Sequence, residues 1–197
     1  MSELLSVLDR LKLAIIGDWF VGDGALLGIH REGKLIEYDN DIDIYLFPET
    51  KIDLDILHSN NLNIEKYYLN DKIYDPTFHY TKKNAWKEFM SCMKLANPNC
   101  GRREIMMLSA MSYDDNKIQN HHTDHNIDIF YLIDNGDRYT IDNWDNIFFY
   151  KTEVDELEYF NLQGMDVIIP KIKERMSILE RQYGKDWETP NKDFKYY

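Results

Sequence analysis

The sequence predicts an α+β fold on three observations. Apolar residues recur at helical spacing near both ends, period-two alternation marks strands between them, and 197 residues suffice to close one core. Hydrophobic residues at 44% and aromatic residues at 14% exclude a disordered chain. No repeat, low-complexity tract or linker divides the sequence, so residues 1–197 are expected to form a single domain.

The elements follow in order. Leu4, Leu8, Leu11 and Ile15 share a helical face, and Gly17 breaks it before a short strand at Trp19, Phe20 and Val21. Ala25, Leu26, Leu27 and Ile29 suggest one or two helical turns, ended by Gly33. From Asp39 the chain reads D-N-D-I-D-I-Y-L-F-P, which places Asp41, Asp43 and Tyr45 on one strand face and Ile42, Ile44 and Leu46 on the other. Residues 52–75 carry no single period and fit short strands, turns or one loose helix. A helix is expected over 85–96, where Trp86, Phe89, Met90 and Met93 share a core stripe before Asn97-Pro98. Strands are expected at 105–112 and 127–133, the latter with Asp128 on the face opposite Ile127 and Ile129. Pro170 is expected in the first turn of a helix with an apolar stripe of Ile172, Met176, Leu179 and Tyr183 and Gly184 as its cap. The aromatic tail over 184–197, with Trp187, Phe194, Tyr196 and Tyr197, is expected to dock on the body.

Lys and Arg number 23 against 35 Asp and Glu, a formal charge of −12 that disfavours a polynucleotide partner. It leaves room for a nucleotide, because a divalent cation held by carboxylates converts an acidic pocket into a phosphate site. Cys92 and Cys100 have neither CxxC spacing nor a second pair and are expected to be reduced thiols. Glu3, Asp9, Arg10 and Lys12 interrupt the opening apolar positions, and no apolar run reaches the length of a membrane span. A cytoplasmic protein without a transmembrane segment is the expectation.

Chemistry concentrates around Asp41 and Asp43. Two residues apart on a strand, they project from one face about 6 to 7 Å apart at the backbone, close enough to share a divalent cation. Like charges so placed raise one another's pKa unless a cation offsets the repulsion. Asp128, on another strand, is the candidate third acid. Upstream, Gly22 and Gly24 open a strand-to-helix turn whose amides suit a phosphate, and Arg31 adds a charged fork or pairs with Glu32 or Glu37. Asp39 is a candidate of the phosphate site that touches the metal directly or supports it from outside, or else it caps or braces the strand. His121, His122 and His125 lie in a polar turn without a distant partner ligand. His125, three residues before Asp128, is the one placed to meet an acceptor or a phosphate.

The segments G-A-L-L-G-I-H-R at 24–31 and L-I-E-Y-D-N-D-I-D-I at 35–44 resemble the signature block of the LicD/fukutin family, close to GTLLGxxR followed by FIPWDDDIDI. I-I-P-K at 168–171 and Y-G-K-D-W-E-T-P at 183–190 resemble its closing segment, and H-N-I-D-I-F at 125–130 resembles the strand bearing its third acid. Residues 50–120 match nothing in that pattern. The resemblance implies a minimal, single-domain nucleotidyltransferase-like fold, a mixed β-sheet flanked by helices. It also implies Mg²⁺- or Mn²⁺-dependent transfer of a substituted phosphate, such as phosphocholine or a polyol phosphate. The donor would be nucleotide-activated and CDP-linked, the acceptor a glycan or glycan precursor, and Asp41, Asp43 and Asp128 would hold the metal. The departures are Ala25 for the usual hydroxyl residue, Asp23 as an extra acid in the turn, Glu37-Tyr38 for Pro-Trp and Asn40 for the middle acid. Rival readings are transfer of NMP to a sugar, protein or small molecule, and a catalytically silent nucleotide- or glycan-binding protein.

Overall fold

A computed structural model of the chain describes residues 3–37, 39, 41–60, 62–69, 72–74, 103–114, 117–120, 126–141 and 147–190. Their order is α1 (Glu3–Lys12), β1 (Ile15–Ile16), β2 (Trp19–Val21), α2 (Asp23–Glu32), β3 (Asp41–Leu46), β4 (Lys51–Ile52), α3 (Leu54–Ser59), β5 (Leu62–Leu69) and β6 (Lys72–Tyr74). There follow β7 (Arg103–Asp114), β8 (Lys117–Asn120), β9 (Asn126–Tyr131), β10 (Ile133–Asn135), β11 (Arg138–Thr140), β12 (Phe148–Tyr150), α4 (Lys151–Val154), β13 (Leu157–Leu162), β14 (Met165–Pro170) and α5 (Ile172–Tyr183). The architecture is mixed α+β. The expected helix over 85–96, both cysteines and the tail from residue 191 lie outside the described residues.

One large sheet, ordered β2-β3-β9-β7-β5-β6 with β8 paired to β7, organises the fold. Within it β3 and β9 run parallel while the other pairs are antiparallel. Ile42, Ile44 and Leu46 of β3 and Ile127 and Ile129 of β9 are fully buried. Paired strands this apolar need cover, which comes in part from α1 through Leu4, Leu5, Val7, Leu8 and Leu11. Helix α1 ends at Lys12, before the expected Ile15, which instead pairs with Ile52 in a short antiparallel ladder.

Helix α2 runs to ten residues rather than one or two turns, and Gly33 ends it in the left-handed region at φ 69°, its N–H donating to the Ile29 carbonyl at 3.0 Å. The chain then folds back along the helix so closely that a Cβ on Gly28 would lie 2.6 Å from the Lys34 carbonyl oxygen and 2.9 Å from the Ile36 nitrogen. The ambiguous stretch resolves into β4, α3, β5 and β6, with the Asp53 carboxylate capping α3 by accepting from the Asp55 and Ile56 amides at 3.0 and 3.1 Å.

Two expectations near the end of the chain are corrected. Pro170 closes β14 instead of opening the helix, with Lys171 as N-cap. Helix α5 buries Arg175, Ile178 and Leu179 while Ile172 and Met176 stand 62% and 47% exposed, so its inner face is rotated from the apolar stripe. Ile178 and Leu179 are fully buried on that face, and two ion pairs accompany them. Arg175 reaches Glu158 on β13 at 2.9 Å, and Arg181 grips the buried Glu153 of α4 at 2.6 Å. The β13–β14 hairpin turns through Gln163 and Gly164, both at positive φ, joining the paired residues Leu162 and Met165. Of the closing segment, Trp187 is buried and meets the His30 ring edge-on at 4.9 Å.

Gly28→Ala is expected to cost about 1–3 kcal/mol, because the methyl meets backbone atoms. Gly33→Ala, with open space around its Cβ, is expected to cost about 1–2 kcal/mol through its backbone angle alone. Urea denaturation of the two variants checks both values.

Candidate functional site

The register of the sheet builds the site in rows. Phe20, Tyr45 and Phe130 are cross-strand partners on β2, β3 and β9, and their rings stack with centroids 5.3 Å apart at both steps. Phe149 closes edge-on over Phe20 and Tyr45 at 5.1 and 4.8 Å. The next row on the same face holds Gly22, Asp43 and Asp128. Gly22 N–H donates to the Asp43 carbonyl at 3.0 Å, and Asp43 pairs directly with Asp128 across the parallel ladder. Asp41 stands two residues outward on β3. A dry aromatic floor thus adjoins a half-buried acidic row.

The acids act on one another. Burial raises Asp43 well above the usual carboxylate range, and the charges of Asp23, Asp41, Asp128 and Asp39 push in the same direction. The charges of Asp39, Asp41 and Asp128 thus all reach Asp43. So does that of Asp23, unexpectedly.

Asp23 is the first residue of α2, only 5% exposed, and holds a left-handed backbone at φ 43°, uncommon for a residue with a Cβ. The Tyr45 hydroxyl donates to its Oδ2, and Gln182 Nε2 on α5 donates to its Oδ1 at 2.9 Å. Tyr45 reaches it by crossing Gly22 where a side chain would stand, since a Cβ there would collide with the ring. Burial lifts Asp23 to about 6 against the two hydrogen bonds that lower it, and Asp41 adds to the rise.

The glycines serve a different end from the one their sequence suggested. The Gly22 amide is engaged with Asp43, and the space beside Gly24 is filled by the Asp39 carboxylate, which a Cβ would strike. Both make room for protein groups. Arg31 lies seven residues beyond Gly24, about 10 Å along the helix axis. Its Nη2 donates to the Thr189 carbonyl at 3.2 Å, and it is not among the charges acting on Asp43. The structure thus gives Arg31 a hold on the closing segment and does not bring it to the acidic row. His125 and Asn40 lie outside the described residues. Sequence reasoning missed Tyr45 and Gln182 as site neighbours. Period two put Tyr45 on the acidic face, which was the available signal, whereas nothing local marks Gln182.

The donors are all carboxylate oxygens, the chemistry that suits a hard divalent cation. Among the described residues, no three His, Cys, Asp or Glu side chains are disposed to hold a metal ion by themselves. Among the described residues, no helix is long and apolar enough to cross a membrane. Compared with protein-family models and with curated proteins, the chain matches none.

Asp23 ionises near the usual 3.8 when unfolded and near 6 when folded, so the folded state keeps a proton over that interval which the unfolded state has lost. Its contribution to stability therefore falls as pH rises from 4 to 6, by at most about 3 kcal/mol. Asp23→Asn removes this penalty and suits the left-handed backbone. The stability of the variant relative to wild type is expected to grow from pH 4 to pH 7, measured by urea denaturation at each pH.

Proposed function

We propose that the chain is a metal-dependent transferase that moves a substituted phosphate from a nucleotide-activated, CDP-linked donor to a glycan or glycan precursor. The domain is read as a minimal nucleotidyltransferase-like fold. The observation that carries the reading is the in-register pairing of Asp43 with Asp128, with Asp41 two residues outward on the same face. The LicD/fukutin resemblance adds direction by matching these three acids.

In this reading Asp41, Asp43 and Asp128 would hold Mg²⁺ or Mn²⁺, and the cation would supply neutralisation of the donor pyrophosphate and of the charge developing on the leaving nucleotide. The chain's own residues supply the rest. Asp43, whose carboxyl is pushed upward by burial and four neighbouring acids, is the group most relieved by a cation. Asp128, half-buried at the edge of the row, is placed either to complete the ligand set or to take the proton of the acceptor hydroxyl. The stacked Phe20, Tyr45 and Phe130 row stiffens the strands beneath the acids, so their spacing is set before ligand arrives.

Asp41→Asn and Asp43→Asn are each expected to lower Mg²⁺-dependent turnover of CDP-linked donors by at least about 100-fold while circular dichroism stays unchanged. Undiminished turnover in either variant overturns the metal role. Wild-type protein that binds donor but never turns it over belongs to the silent binding class instead.

A further inference from the structure

Away from the acidic row, the β13–β14 hairpin leaves one backbone edge open. Its two-residue turn at Gln163 and Gly164 makes Leu162 and Met165 the closing hydrogen-bonded pair. Counting back in twos, Phe160 and Glu158 direct their N–H and C=O groups toward β14, while Asn161, Tyr159 and Leu157 direct theirs away from it. Pro170, which has no N–H to give, falls opposite Leu157, at a pair that needs none. Among the described residues nothing hydrogen-bonds to those outward groups of β13. The other edge of the hairpin is closed. Lys12 Nζ donates to the outward carbonyl of Asp166 at 2.6 Å, and β14 lies beside β2. β13 also lacks the usual guards of a free edge. Its six residues include neither Lys nor Pro, its register with β14 runs without a bulge, and Tyr159 near its middle is 78% exposed.

We propose that β13 is a homodimer interface, pairing antiparallel with β13 of a second copy of this chain about a two-fold axis through Tyr159. An unpaired row of N–H and C=O groups is matched by another strand, which fixes the class of partner. The strand itself selects a second copy. With the axis at Tyr159, that residue faces the partner's Tyr159 and Leu157 faces the partner's Asn161, so outward groups meet only outward groups and form about six interchain hydrogen bonds. The same register sets Glu158 opposite the partner's Phe160 and keeps like charges apart. Within each chain Glu158 is held by Arg175 at 2.9 Å and Glu156 by Lys171. A chain of formal charge −12 thus meets its copy along a strip whose acids are already paired. The closed edge of β14 stops the combined sheet at the two hairpins, giving a dimer rather than a filament.

Sedimentation velocity of the whole chain over roughly a hundredfold range of concentration tests this. Wild type is expected to pass from monomer to dimer. Tyr159→Lys, which sets two cations face to face on the axis, is expected to weaken dimerisation roughly tenfold with circular dichroism unchanged. Tyr159→Cys places two thiols on Cα atoms about 5.5 Å apart, within disulfide reach. It is expected to crosslink under mild oxidation beyond the level that Cys92 and Cys100 give in wild type, whereas Asp166→Cys, on the closed edge, is expected to stay at that level. Wild-type protein that is monomeric throughout overturns the proposal. So does a dimer that Tyr159→Lys leaves intact, or crosslinking that favours Asp166→Cys over Tyr159→Cys. Should Tyr159→Lys fail to fold, the two cysteine variants decide the outcome.

Discussion

The parallel, in-register pairing of β3 with β9 is the constraint on which the rest depends. It sets Asp43 beside Asp128 and, one step along the same face, Tyr45 beside Phe130. A slip of one residue would turn the acids into the core and expose the isoleucines, so burial of Ile42, Ile44, Ile127 and Ile129 fixes the register as firmly as any contact between the acids. The acidic row itself opposes folding. It is tolerated because the aromatic row and the isoleucine face bury enough apolar surface to carry it.

Close approach is the second theme. Tyr45 crosses Gly22 to reach Asp23, Asp39 lies against Gly24, and the segment after α2 lies flat on Gly28. Three glycines within seven residues thus let one strand, one helix and one returning loop converge on a small volume. Their amides and their flexibility matter less than the missing side chain. Gln182 ties α5, from the far end of the sequence, into the same volume, and Arg31 with Thr189 and His30 with Trp187 fasten the closing segment to α2.

Much of this was legible because it is local. The alternation through Asp41–Leu46 and around Asp128, the helix ended by Gly33 and the leucine face of α1 all follow from periodicity and cap chemistry within a few residues. Other features were not legible. The inner face of α5 includes Arg175, paired with Glu158, while Arg181 pairs with Glu153, partners 17 and 28 residues away, and no helical period reveals such ion pairs. The β13–β14 hairpin was obscured because Gln163 occupies a positive-φ turn position more often held by Asn or Asp.

By itself the sequence determined which residues are acidic, which faces alternate and where the glycines fall, because these depend on side-chain identity and the period of the backbone. It therefore marked Asp41 and Asp43 on one strand face and offered Asp128, on another strand, as a candidate third acid. Only the tertiary structure decided which strands are neighbours, and with them that Asp23 is buried against Tyr45 and Gln182 and that Arg31 turns to Thr189. Charges at long separation interact according to distance through the folded protein, and that distance is created by packing.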